Sequence, residues 1–237
     1  MTTLDDPARL LEAWEHAAPA PPVTRGPVLL HSVGLLPDLG TALEMPVGLV
    51  AALAARLYAD AFGGVADVMM TCVCGELLEA ALPLEPITEL PAGECAEACG
   101  GTLRVRPPSA RDLLVAAQAD DALATLLTRC VRDAAGGPIS PAQLTAEQLR
   151  AVDAVAEELA GAAAVMLRAR CPACENIVAV SLDVAELLWE RVAARAPALL
   201  TEVATLAAAF GWAEAEILAL PAGRRRAYLA LAAGRTA

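Results

Sequence analysis

The sequence predicts an α+β fold, mainly α with small β-hairpins. Three observations carry that expectation. Of the 237 residues 57% are hydrophobic, ample for a core, yet aromatics make up only 3% and much of the remainder is alanine. That balance suits helices packed closely through small side chains. Apolar residues recur at helical spacing over long stretches, several of them behind capping signals. Two β-branched segments each surround a close pair of cysteines, Cys72-Val73-Cys74-Gly75 and Cys171-Pro172-Ala173-Cys174.

Taken in order, residues 7–17 read as an amphipathic helix. Ala18-Pro19-Ala20-Pro21-Pro22 reads as a linker, because proline lacks the amide donor and clashes inside a helix. From Pro46, Val47, Leu49, Val50, Leu53, Ala54, Leu57 and Tyr58 repeat at helical spacing until Gly63-Gly64 stops them. Residues 65–84 predict two strands joined by a tight cysteine-bearing turn, and 102–106 a third strand. Pro107-Pro108-Ser109 ends that strand and caps a helix bearing Leu113, Leu114, Ala117 and, after Asp120, Leu123, Leu126 and Leu127. Cys130 closes its apolar face as a core position.

Residues 134–141 read as a loop. Thr145-Ala146-Glu147-Gln148 is a capping box for a helix whose core positions are Leu149, Val152, Val155 and Leu159. Residues 165–170 and 177–182 flank the second cysteine pair as a hairpin, and Asp183-Val184-Ala185-Glu186 caps the next helix. From there to Ala233 the pattern is helical, with Pro197 expected to begin a new helix, Gly211 to end it, and Pro221 to fit the first turn of the last one. The expected organisation is therefore residues 1–45 as an N-terminal helix and proline-rich linker, and 46–106 as a helix, the first cysteine hairpin and a strand. Residues 107–162 follow as a helical insertion, and 163–237 as the second cysteine hairpin with C-terminal helices.

A net charge of −12 and a pI near 4.6 repel phosphate backbones, and the one basic run is Arg224-Arg225-Arg226. Nucleic-acid binding is not expected. The longest apolar runs, such as 47–55 and 159–167, fall short of the roughly 20 residues a bilayer needs, so no membrane span is expected. Asp5, Asp6 and Glu12 precede any apolar run, unlike a secretory signal, and the expected location is the cytoplasm.

Seven cysteines make an odd set for a secreted disulfide framework, whereas close pairs in a reducing compartment more often hold metal. Zinc takes four thiolate or imidazole ligands in a tetrahedron, and a CxxC turn offers two sulfurs from one reverse turn. Cys171 and Cys174 have that form. Cys72 and Cys74 are the best second pair, and two such hairpins face to face would make a zinc-ribbon-like module, interrupted by the helical insertion and followed by a C-terminal helical bundle. The CxC spacing is one residue tighter than usual, which leaves Cys95 and Cys99 as reserves, either sharing a helical face or idle in a loop at 94–100. Buried cysteines without metal are the plainer alternative.

A catalytic zinc needs an open position and a base, and the two histidines, His16 and His31, lie in the N-terminal region far from any cysteine pair. No phosphate loop, nucleophile elbow or HExxH motif occurs. A thioredoxin-like redox turn would place its cysteines at a helix N-terminus, whereas 176–182 reads as extended. No enzymatic activity is expected.

The order of motifs adds a resemblance. Cys72-Val73-Cys74-Gly75-Glu76, then 104–113 (Arg-Val-Arg-Pro-Pro-Ser-Ala-Arg-Asp-Leu), then Leu127-Thr128-Arg129-Cys130-Val131 are followed by the CPAC turn, Leu187-Leu188-Trp189-Glu190, Leu199-Leu200-Thr201-Glu202-Val203, the 210–220 segment and Arg224-Arg225-Arg226-Ala227-Tyr228-Leu229. Over roughly residues 47–231 this series resembles a family of phage-tail proteins, the baseplate or baseplate-hub assembly proteins similar to those of T-even phages and encoded with contractile injection systems. The resemblance implies a structural or chaperone-like role through contacts with other baseplate, hub or spike proteins; multiple copies in an assembly are compatible with it, and the sequence does not fix their number. Three positions depart from the family pattern: the first knuckle is one residue short of CPxCG, Glu175 stands where glycine is usual, and Ala204 where many members have histidine. Trp189, Trp212, Tyr228 and Arg224, Arg225 and Arg226 are the candidate partner-binding residues, although aromatics on such helices are more often core anchors. A zinc-ribbon adaptor binding a single regulatory protein in the cytoplasm is the alternative.

Overall fold

The computed structural model describes residues 4–88, 95–163 and 165–234. Its helices are α1 (Pro7–Ala17), α2 (Pro22–Ser32), α3 (Leu39–Glu44), α4 (Val47–Phe62), α5 (Ala110–Ala116), α6 (Ala122–Cys130), α7 (Ala146–Ala160), α8 (Val184–Phe210), α9 (Glu214–Leu218) and α10 (Ala222–Ala233). Its strands are β1 (Val65–Thr71), β2 (Leu77–Pro83), β3 (Ala96–Ala98), β4 (Leu103–Val105), β5 (Val131–Asp133), β6 (Val165–Arg170) and β7 (Ile177–Leu182). They form two antiparallel hairpins, β1-β2 and β6-β7, and a small antiparallel sheet in the order β3-β4-β5. The fold is mainly helical with small β-hairpins, as the sequence predicts.

Local chemistry explains most helix starts. Asp6, Asp38, Asp121 and Asp183 each accept a backbone amide of the first turn, and Ser109 and Thr145 form reciprocal capping boxes with Asp112 and Gln148. Each such cap is worth about 1 kcal/mol. The main core joins α1, α2, α4, both hairpins and the first half of α8 around fully buried Leu29, Leu30, Leu84, Val184 and Leu188. Each of these leucines stabilises by about 2 kcal/mol on burial. Helix α2 crosses close to α8 and α4 at Gly26, where an added Cβ would stand 2.7 Å from Ala185 Cβ and 3.0 Å from Val50 Cγ1.

Two smaller cores complete the molecule. The β3-β4-β5 sheet packs under α7 through Val105, Val131, Val152 and Leu159. The end of α8 packs with α9 and α10 through Val203, Leu206 and Ile217, flanked by Phe210, Trp212 and Tyr228. Strand β4 thus pairs with β3 and β5 rather than with the cysteine hairpin, and the expected boundary at residue 106 falls inside this sheet unit.

Three expectations need correction. The proline-rich linker is confined to residues 18–21 and does not extend toward residue 45: α2 begins at Pro22, runs through Pro27, and buries Val28, Leu29 and Leu30, with α3 following. Pro22 sits in the first turn, where a missing amide costs nothing. Pro197 does not begin a helix, since α8 runs unbroken through it to Gly211, which ends the helix in the left-handed region (φ 71°). Leu199 and Ala196, both buried, hold that stretch helical by packing. The leucines of 113–127 belong to two helices, α5 and α6, divided before the Asp121 cap. Unbroken, α8 is also the one described helix long and apolar enough by composition to cross a bilayer; here its buried face packs against α1, α2, α4 and α10.

Candidate metal centre

Gly63 and Gly64 end α4 and release the chain into β1, whose last residue, Thr71, pairs with Leu77. The five residues between them make a closed loop: Cys72 N donates to Glu76 O (2.8 Å) and Gly75 N to Cys72 O (2.9 Å). The second hairpin repeats the design with one more residue. Arg170 pairs with Ile177, Cys171 N donates to Asn176 O (2.8 Å), and Glu175 N to Cys171 O (2.9 Å). Buried faces of both hairpins enter the main core, β1 touching β7 and β2 touching β6, so the loops meet tip to tip.

There the sulfurs converge. Cys72 Sγ lies 3.5 Å from Cys174 Sγ, and Cys74 Sγ 3.7 Å from Cys171 Sγ, and all four sulfurs lie within 4.8 Å of one another. A tetrahedron with metal–sulfur bonds of about 2.3 Å has edges of about 3.8 Å. The tight CxC loop therefore presents both sulfurs, because the residue it lacks lies between the cysteines while the closing backbone bond is retained. Cys72 and Cys171 are buried, Cys174 is half-buried and Cys74 exposed, so the cluster has one solvent-facing corner. This is a candidate metal site of four thiols.

Backbone amides stabilise thiolates here. Burial pushes the Cys171 thiol up, but the amides of Cys174 and Ala173 and the thiols of Cys72 and Cys174 outweigh it and hold it at about 7. The Asn176 amide draws Cys174 down, but the neighbouring thiols of Cys74 and Cys72, with burial, push it up to about 12. The Glu76 amide serves Cys74 as the Asn176 amide serves Cys174, each two residues beyond the second cysteine of its loop.

The other sequence candidates fall elsewhere. Cys95 and Cys99 flank β3 in the small sheet unit, Cys95 exposed beside Arg104 (Nη2 donates to Sγ, 3.5 Å) and Cys99 at positive φ; neither joins the cluster, and residue 94 lies outside the described residues. Cys130 is buried, as expected. His16 shares a hydrogen bond with Ser32 Oγ (3.1 Å) and His31 with Leu36 O (3.1 Å), within the N-terminal helices.

Of the candidate partner-binding residues, Trp189 is half-buried with the Arg25 guanidinium 5.0 Å from its ring centroid. Trp212 stacks on Phe210 at 4.8 Å and meets Tyr228 edge-on at 4.7 Å, closing the third core. Arg224 and Arg226 are exposed, but Arg225 is not available to a partner. Its side chain is 3% exposed, and its Nε donates to Glu202 Oε2 at 2.6 Å, with Arg195 on the other oxygen at 2.9 Å. This pairing runs across helices, from α10 to α8.

Sequence reasoning named Asp112 only within a motif, yet it is the charged centre of the small sheet unit. Fully buried, it accepts two bonds from Arg106 (2.6 and 3.1 Å), one from Arg129 Nε (2.6 Å), and others from the Ser109 amide (2.9 Å) and hydroxyl (3.0 Å). The Ser-x-x-Asp capping box was the available signal; the arginines reach it only through the fold. No protein-family model, characterised protein or solved structure matches this chain.

Proposed function

We propose that this protein is a structural or assembly component of the baseplate of a contractile, phage tail-like particle, acting through protein–protein contacts and braced by a structural zinc ion. The observation that carries the reading is the convergence of Cys72, Cys74, Cys171 and Cys174, about a hundred residues apart in the chain, at the tip-to-tip contact of two hairpins. Four sulfurs at tetrahedral spacing suit zinc, and a site with every position filled by thiolate serves structure rather than catalysis. The metal would fix the mutual register of the hairpins and hence the start of α8, contributing its binding free energy to folding.

The segments that resemble baseplate assembly proteins fall on the two cysteine loops, the Asp112 centre, α8 and the aromatic cluster, which supports reading the resemblance as one of architecture. The experiment is affinity capture of tagged protein from cells assembling such a particle. Recovery of baseplate, hub or spike proteins supports the proposal. Recovery of one soluble regulator without particle components would favour an adaptor and overturn it.

A further inference from the structure

The two cysteine hairpins have unlike outer faces. The β1-β2 register brings Val65, Asp67, Met69, Leu77 and Glu79 to one exposed side, with Met69 opposite Glu79 and Thr71 opposite Leu77. The β6-β7 register brings Met166, Arg168, Arg170 and Ile177 to another, with Arg168 opposite Ala179 and Arg170 opposite Ile177. Their inner faces are already used, with Val68, Met70, Leu78 and Leu82 buried in the core and Leu167, Val178, Val180 and Leu182 packed on it. An antiparallel hairpin with one buried face ordinarily carries polar residues on the other. Here Met69 is 62%, Leu77 64% and Ile177 69% exposed. Neighbouring large apolar side chains left in water mark an interaction surface.

The charges on the two faces are complementary and matched in spacing. Asp67 stands opposite Ala81, which makes Glu79 its diagonal neighbour across the hairpin, about 7 Å away. Arg168 and Arg170 are two residues apart on one strand, also about 7 Å. Among the described residues none of the four forms an ion pair within the chain. In a chain of net charge −12, two copies repel over most of their surfaces, and the Arg168-Arg170 face is an exception at which an acidic surface can approach.

We propose that the acidic hairpin face of one copy docks on the basic hairpin face of a second copy. Asp67 and Glu79 meet Arg168 and Arg170, while Met69 and Leu77 cover Ile177 and Met166. Because the joined patches differ, the contact is heterologous and builds a ring or a chain, unless a two-fold axis satisfies both contacts at once. The inference rests on the hairpins alone and does not depend on the baseplate reading.

The test is sedimentation of the full chain over a concentration series. Three proteins are compared: the wild type, an Arg168→Glu/Arg170→Glu variant and an Asp67→Arg/Glu79→Arg variant. The wild-type average mass rises with concentration and falls with added salt. Each variant alone stays monomeric, and an equal mixture of the two regains association, since every contact between unlike variants is again between opposite charges. Should charge reversal lower the melting temperature, Arg168→Gln/Arg170→Gln reads the same loss without it. A wild type that stays monomeric, including one that captures a different acidic protein on the basic face, overturns the proposal. So do variants that associate like the wild type, or a mixture of folded variants that does not.

Discussion

Gly75 and Glu175 hold the same place in the two cysteine loops, one residue past the second cysteine, and both have positive φ, 90° and 61°. Glycine adopts that conformation freely, whereas an L-residue pays roughly 1–2 kcal/mol for it. Glu175→Gly is therefore expected to stabilise the protein by about 1 kcal/mol without changing its metal content. Gly75→Ala is expected to lose a similar amount. Thermal midpoints of the two variants check both signs.

Serine in place of any one of Cys72, Cys74, Cys171 or Cys174 removes a sulfur from the cluster, whereas Cys95→Ser and Cys99→Ser leave it intact. Elemental analysis should give about one equivalent of zinc for the wild type and for the second pair of variants, and well under half for the first four. Chelator should lower the wild-type melting temperature markedly. Since each ligand must lose its proton, affinity falls as pH falls, which a competition titration with a zinc indicator reads directly.

For Asp112 burial alone would raise the carboxyl's pKa, but the hydrogen bonds from Arg106, the Ser109 amide and Arg129 prevail and hold it well below the usual carboxylate range. A depressed pKa contributes stability that is full above the unfolded value near 4 and is lost as pH drops toward the folded value. Asp112→Ala removes the carboxylate from two partly exposed guanidiniums and the Ser109 cap, and is expected to cost about 2–3 kcal/mol near neutral pH. Urea midpoints should show that this difference narrows toward pH of about 3; a gap that stayed constant would remove the carboxylate from the account.

At Gly26 an alanine would gain helix propensity of about 1 kcal/mol but force its Cβ into Ala185. Overpacking of this kind costs about 1–3 kcal/mol, so Gly26→Ala should be net destabilising. Adding Ala185→Gly should recover part of the loss, a coupling that chemical denaturation of the four proteins of the cycle measures.

What was legible in the sequence had a local cause. The cap at Ser109, the capping box at Thr145, the Asp183 cap, the glycine stops at 63 and 211 and the two cysteine turns are each decided within a few residues, and the structure has each of them where the sequence puts it. What was missed depends on distant partners. Pro22 reads as part of a linker and Pro197 as the start of a new helix by local rules, yet Leu29, Leu30 and Leu199 are buried deeply enough to keep their helices whole. Strands β3 and β5 are three residues long, too short for any periodicity. Arg225 reads as a candidate partner-binding residue because its own partner, Glu202, lies on another helix. For the cysteines, spacing supplied the ligands and only the fold supplied their convergence.

The continuity of α8 through Pro197 gives the molecule a fixed internal ruler. Its cap at Asp183 directly follows the cysteine hairpin and its other end carries Phe210, so about 40 Å of continuous helix separates the base of that hairpin from the aromatic cluster. Inserting one residue near Pro197 would turn the far end by about 100° and advance it about 1.5 Å, leaving each end intact but wrongly aimed at the other.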